Sequence, residues 1–211
     1  MKSHDSAPAI IVPQFGDATQ LSVYQLPRRS PGRGEIEVRV DAASVNPIDV
    51  RRRSGYGRRL FSLLGAARLP LVLGNDFAGI VTAVGPGVKS LREGDAVFGA
   101  KPASSCGTHA AYAVVRAEHA QLQPAAISAA TLATLPYNFL TVSRAIADAG
   151  ITSANIRGRK VLVHGATGGL GMIAVWLLND WGAQVTAVGG GASLASCRKA
   201  GAAVVVDRHR Q

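Results

Sequence analysis

The stretch VLVHGATGGLG, residues 161–171, is an apolar run that stops on small residues and resumes as MIAVWLLNDWG. A strand that breaks on glycines and opens a helix prepares a place for a phosphate. The unpaired N–H groups of the helix's first turn and its positive dipole end face the anion. Read as x-x-G-x-x-G, the loop puts Ala166 where many such folds have a first glycine. Gly168 lets the backbone approach a pyrophosphate and Gly171 lets the helix pack closely on its strand. Thr167, Gly169 and Leu170 complete the cradle. The plainer use of the same residues is a tight strand-to-helix turn that needs small side chains.

An Asp or Glu about 20 residues beyond the glycines would grip the ribose 2′-hydroxyl of NAD. Here that stretch is VTAVGGGAS, which contains Gly190 and no acid. A carboxylate repels a 2′-phosphate, so its absence, with Arg198, Lys199 and Arg208 near by in sequence, points to NADPH. Surface charge on a helix and a tail is the other reading of those cations.

The elements that must position this loop divide the chain in two. PAIIVPQFG, LSVYQLP, FAGIVTAVGPGV, GDAVFGA and THAAYAVVRAEHAQLQP read as short strands bounded by Gly and Pro. In PGRGEIEVRVDAASVNP, Ile36, Val38 and Val40 alternate with Glu35, Glu37 and Arg39, which predicts a strand with one wet face. Such strands suggest a compact barrel-like β domain over 1–124. From Pro124 the character changes. AAISAATLATLP and LTVSRAIADAG have helical spacing around Pro136, and strands KVLVHGA, QVTAVGG and AVVVD then alternate with helices. That order predicts βαβ units with a parallel sheet over 125–211, an α/β fold.

With 211 residues, 47% of them hydrophobic, the chain has enough apolar material for a real core. Its two cysteines, Cys106 and Cys197, exclude a disulfide framework or a four-cysteine zinc lobe and suit a reducing compartment. The N-terminus lacks the apolar core of a signal peptide, it carries Asp5, and no apolar run reaches about 18 residues. A cytoplasmic protein without a membrane span is expected. The formal net charge of +10 fits a solvated basic face, an anionic cofactor or nucleic acid. Nucleic acid is disfavoured, since Arg51, Arg52, Arg53, Arg58, Arg59 and Arg68 do not show the repeated aromatic interleaving of single-strand binders.

Five segments carry a resemblance: PGRGEIEVRVDAASVNPIDVRRRSGYG, LPLVLGNDFAGIVTAVGPGV, GDAVFG, LATLPYNFLTVSRAI and VLVHGATGGLG. In this order they resemble the medium-chain dehydrogenase/reductase superfamily, and within it the zinc-independent quinone oxidoreductase branch. The resemblance implies a GroES-like β-barrel-type domain followed by a Rossmann domain, a doubly wound parallel sheet, with the active site in the cleft between them. It implies NADPH as cofactor, a quinone or α,β-unsaturated carbonyl as substrate, and a homodimer for full-length members.

Zinc agrees with that branch. In the family's zinc alcohol dehydrogenases, a cysteine and a Gly-His-Glu motif fall where this chain has Asn46 and GND, and Asn46 and Asn75 are poor ligands. Asp76 alone cannot hold the ion, and His4, His109, His119, His164 and His209 show no paired ligand spacing. A metal-free mechanism is expected.

By resemblance, Asn46 and Tyr56 line the pocket near the nicotinamide and the substrate carbonyl, where Tyr56 could donate a hydrogen bond or a proton. A packed ring beside a glycine turn is the alternative for Tyr56, and a turn residue before Pro47 the alternative for Asn46. Asp49 reads as structural, by capping or by pairing with the arginines. Thr141 matches a threonine that reaches the nicotinamide end, or is a helix-start hydroxyl. Relatives often have Ser at position 190 and Tyr at position 208, so Arg208 stands in as a phosphate or adenine contact.

Only one of two mononucleotide halves is present, so the Rossmann domain is partial and a truncated member of the class is expected. Three strands alone would leave an apolar edge and an uncovered face. The rival function is a non-catalytic nucleotide- or RNA-binding protein of the same fold.

Overall fold

A computed structural model describes residues 6–63, 68–102, 105, 107–191 and 193–210. His4, Asp5 and Cys106 lie outside the described residues. The elements are β1 (Ser6–Val12), β2 (Ser22–Pro27), β3 (Glu35–Ala42), α1 (Pro47–Arg53), α2 (Arg58–Leu63), β4 (Leu71–Val72), β5 (Asp76–Val84), β6 (Ala96–Ala100), β7 (Tyr112–Arg116), β8 (Ala120–Leu122) and α3 (Ala129–Leu132). They continue as α4 (Pro136–Asp148), β9 (Lys160–His164), α5 (Gly169–Asp180), β10 (Gln184–Gly189), α6 (Leu194–Lys199) and β11 (Val204–Asp207).

The contacts divide the chain into Met1–Tyr137 and Asn138–Gln211. The composition changes near Pro124, but Leu132 and Ala133, from α3 and the residue after it, bury against Ala78 of β5. The first unit therefore extends past that point.

In the first unit, a sheet ordered β2-β1-β4 accompanies a five-stranded sheet ordered β7-β3-β5-β6-β8, and every pairing is antiparallel. Ile36, Val38, Phe77, Val81, Val97 and Val115 form its largest core. The short strand β4 and helices α1 and α2 are elements that hydrophobic periodicity did not reveal, because each is only two to seven residues long.

One expectation for β3 is corrected. Glu37 does not lie on a wet face but is 4% exposed. Tertiary pairing overrides the alternation. The Arg28 guanidinium donates to both Glu37 carboxylate oxygens (3.1 and 2.5 Å), Thr82 Oγ1 donates to Oε2 (2.7 Å), and Arg28 stacks on the Tyr112 ring at 3.9 Å. Burial alone would push the Glu37 carboxyl up. The Arg28 and Thr82 hydrogen bonds and the Arg28 charge outweigh it and hold the carboxyl below its ordinary value of 4.5. Its stabilisation is thus complete above pH 4.5 and is lost as the pH falls through the lower, folded value. Glu37→Gln should lower stability at neutral pH and flatten the acid side of a stability–pH curve, read by urea unfolding at stepped pH.

The second unit is a parallel sheet ordered β11-β10-β9. Val142, Ile146, Val175, Leu178 and Cys197 from its helices pack with Val185 and Ala187, and with the partly buried Val161, Val163 and Val205. The opposite face is open, with Leu162 65% and Val204 51% exposed. Among the described residues, no helix is long and apolar enough to cross a membrane.

Candidate functional site

In the second unit, β9 ends at His164 and the chain turns on Gly165, whose φ of +72° favours glycine. Gly168 N–H donates to Gly165 O (3.0 Å), and Gly168 then caps α5 with no side-chain hydrogen bond. The first intrahelical bond is Met172 N–H to Gly168 O at 2.8 Å, so the first-turn N–H groups point out of the helix without a side-chain cap. Gly168, Gly169 and Leu170 are exposed at this end. A Cβ on Gly168 would meet only Gly165 O at 3.4 Å, and one on Gly169 only Asn138 Nδ2 at 3.9 Å. These two glycines therefore leave open space in front of the helix rather than relieving a clash.

Gly171 does the opposite job. A Cβ there would lie 2.2 Å from Gly165 O and 2.7 Å from Ala166 Cα. Ala166 is fully buried and its N–H donates to Val188 O (3.0 Å), so it forms the wall of the cradle. Thr167 packs on Gly189, where a Cβ would fall 2.6 Å from its methyl group. The loop residues thus split into a supporting set, Ala166, Thr167 and Gly171, and an open set, Gly168, Gly169 and Leu170. An anion suits the open set, because uncapped donors and the helix dipole favour negative charge.

The ends of β10 and β11 bring Gly190 and Arg208 together. Arg208 N–H donates to Gly189 O (2.8 Å), and a Cβ on Gly190 would lie 2.7 Å from His209 Nε2 and 3.2 Å from Arg208 Nε. Arg208 Nε donates to His209 Nε2 at 3.3 Å. Glycine at 190 is what lets these two side chains lie over the strand end. His209 was missed as a site residue; its only sequence signal is adjacency to Arg208. Arg198 and Lys199 occupy the last turn of α6, where cations suit the helix's negative end. Thr141 lies exposed within α4, beside buried Val142.

In the first unit, Asn46 is the N-cap of α1 and Pro47 its first residue. Asp49 accepts from the Asn46 N–H (2.8 Å) and the Gly74 N–H (2.9 Å), tying the helix to the turn before β5. The pattern N-P-x-D was a readable capping signal. Asp76, 0% exposed, is the centre of the cluster. Its Oδ2 accepts from Asn46 Nδ2 (2.8 Å) and Ser44 Oγ (2.5 Å), and its Oδ1 from the Tyr137 N–H (2.7 Å). Asn75 Nδ2 donates to Lys101 O (3.0 Å), while the buried Asn75 Oδ1 has no hydrogen-bond partner among the described residues. Tyr56 is 64% exposed on the turn after α1, with the Arg51 guanidinium 5.4 Å from its ring centre. Of the two residues expected near a substrate, Asn46 is therefore buried and Tyr56 is on the surface. Ser44, Asp76 and Tyr137 had no local signal. Among the described residues, no three His, Cys, Asp or Glu side chains form a metal-binding group.

Residues 32–128 match the alcohol dehydrogenase GroES-like domain. The fold matches the quinone oxidoreductase from Coxiella burnetii over 98% of this chain and 63% of that one, with TM-score 0.84 and 28% identity. These similarities support a member of the medium-chain dehydrogenase/reductase superfamily. Within this superfamily, the Escherichia coli quinone oxidoreductase complexed with NADPH matches 97% of this chain and 60% of its own, at 31% identity and TM-score 0.80. The human NAD(P)H oxidoreductase RTN4IP1, mitochondrial, is 37% identical over 182 residues, which are 82% of this chain and 46% of that protein. The chain spans about half the length of the curated relatives it matches.

Proposed function

We propose that this chain belongs to an oxidoreductase that transfers hydride from NADPH to a quinone or α,β-unsaturated carbonyl without a metal ion. The observation that carries the reading is the uncapped start of α5 behind Gly168, with Arg208 and His209 over the end of β10. The names of the relatives support an oxidoreductase, and the NADPH complex of the Escherichia coli protein supports the cofactor.

When bound, the reduced nicotinamide would supply a hydride, which is a proton with two electrons. In this chain, the α5 N–H groups would hold the pyrophosphate, while Arg208 and His209 would face the 2′-phosphate. Asn46 would stand at the substrate pocket and Tyr56 at its exposed rim. Neutral amides at 46 and 75, with the Asn46 amide committed to Asp76, favour chemistry by positioning and hydrogen bonding over Lewis-acid activation.

NADPH fluorescence titration of the full chain tests this. Saturable binding is expected, and Arg208→Ala should weaken NADPH about tenfold at low salt while leaving NADH affinity unchanged. Equal loss for both cofactors would remove Arg208 from the phosphate site. Saturable binding with no oxidation of NADPH by quinones or enones would leave a nucleotide-binding module.

A further inference from the structure

We propose that His209 couples recognition of the cofactor's 2′-phosphate to the uptake of a proton, so that the site selects NADPH at neutral pH and loses that selectivity in mild alkali. The proposal rests on the NADPH reading above and adds a proton to it.

The place is built within the second unit. β10 ends at Gly189, where a Cβ would lie 2.6 Å from the Thr167 methyl group, so the strand end packs on the phosphate loop. At the next residue, Gly190, a Cβ would meet His209 Nε2 at 2.7 Å and Arg208 Nε at 3.2 Å. Beside them, a Cβ on Gly191 would meet nothing within 4 Å. Two nitrogen-bearing side chains therefore border open space at the end of β10, next to the loop that opens α5.

Arg208 Nε donates to His209 Nε2 at 3.3 Å. A guanidinium has no acceptor atom, so this bond exists only while Nε2 holds a lone pair. The imidazole in this arrangement is neutral, with its proton on Nδ1, and it takes up the Arg208 Nε–H. A phosphate monoester above about pH 7 carries nearly two negative charges and only accepts hydrogen bonds. A neutral Nε2 facing it would set lone pair against lone pair. A proton on Nε2 reverses this: the imidazolium N–H donates to the phosphate, and the Arg208 Nε–H is released to do the same. The proton comes from solvent, because the dianion has none to give. Binding therefore consumes a proton, and affinity falls as the pH rises.

Among the described residues, the charged groups next to His209 are Asp207, Arg208 and Arg210. Asp207 Oδ1 accepts the His209 backbone N–H at 3.0 Å, and its Oδ2 lies 3.7 Å from Arg210 Nε. That carboxylate is thus spent on the backbone and on an arginine, not on the ring. The end of β10 offers glycines, the first turn of α5 has no charged residue, and α6 carries Arg198 and Lys199 in its last turn. The bound phosphate is then the negative charge that protonates the ring. His164 ends β9 beside Val188 of β10 and supplies the control.

The test measures NADPH binding by the full chain from about pH 7.0 to about pH 8.5 at constant low salt, read by cofactor fluorescence. Over this range the phosphate stays dianionic while an ordinary imidazole, with a value of about 6.5, loses the last of its charge. His209 is exposed, so substitutions there leave the unit folded. Wild-type affinity should fall about tenfold across the range, and His164→Gln should follow it. His209→Gln should bind more weakly, with a flat profile, and His209→Lys, which stays charged, should keep its neutral-pH affinity at the alkaline end. NADH, which lacks the 2′-phosphate, should show no such slope. Calorimetry at about pH 7.5 in two buffers of different ionisation heat should give an uptake of about half a proton or more per NADPH in the wild type and none in His209→Gln. A flat wild-type profile, a slope that survives His209→Gln, or an equal slope with NADH overturns the proposal and leaves the NADPH reading standing. Absence of saturable NADPH binding at every pH overturns both.

Discussion

Gly171→Ala is expected to destabilise the second unit by about 3 kcal/mol or more, whereas Gly168→Ala should leave that unit folded and abolish nucleotide binding. The two glycines lie three residues apart in one loop, yet their surroundings differ. A methyl group at 171 would press into Gly165 O at 2.2 Å and Ala166 Cα at 2.7 Å, both backbone atoms held by the strand-to-helix turn. Neither can rotate away as a side chain would, so the helix must move off its strand. At 168 the nearest atom is 3.4 Å away and φ is −82°, which alanine adopts without strain. Its methyl group would instead occupy the space before the α5 N–H groups and keep a phosphate from reaching them. Both tryptophans of the chain, Trp176 and Trp181, lie in the second unit, so tryptophan fluorescence during thermal unfolding reports it. For a unit of this size the Gly171→Ala midpoint should drop by more than about 10 °C. Unchanged midpoints in both variants, or unchanged NADPH binding by Gly168→Ala, would refute the assignment of the cradle.

Asp76→Ala should cost the first unit about 3–5 kcal/mol, because it strands one buried and two part-buried donors at once. The Ser44 hydroxyl, the Asn46 amide and the Tyr137 N–H all end on this carboxylate. Asp76→Asn should fall between wild type and alanine. Its side chain keeps one oxygen acceptor but turns an NH2 group toward at least one donor. Far-UV circular dichroism during urea unfolding should show the loss, while the tryptophan signal of the second unit keeps its midpoint. A wild-type circular dichroism transition in Asp76→Ala would mean that the three donors find other partners. The cluster would then be no rigid platform for Asn46 or Tyr137.

How much of this was readable before the structure depends on how far apart the partners are along the chain. The phosphate loop was readable because a strand, its glycines and a helix start are consecutive, and each has a local backbone reason. The roles of individual glycines were readable for the same reason: the close approach at Gly171 involves residues 165 and 166 of the same turn. The N-cap of α1 was also readable, since Asn46, Pro47 and Asp49 form a local capping pattern, although seven helical residues were too few for periodicity to stand out. Glu37 was misplaced in solvent because alternation says which face a residue takes, not whether an arginine and a threonine wait on that face.

The sequence by itself determined the order of the longer strands and helices, the phosphate loop with its missing acid, and the amides at 46 and 75. These follow from short-range pattern and from residue chemistry. The tertiary structure decided what those residues meet. Asp76 lies 30 residues from Asn46 and 61 from Tyr137, and only the packing of β5 against the chain on either side makes them one hydrogen-bonded group. In the same way, Gly190 and Arg208 become neighbours only when β10 and β11 pair in parallel. Local pattern records what each backbone segment prefers. A carboxylate's partners depend on which segments are buried together, and that is settled when the chain closes around its cores.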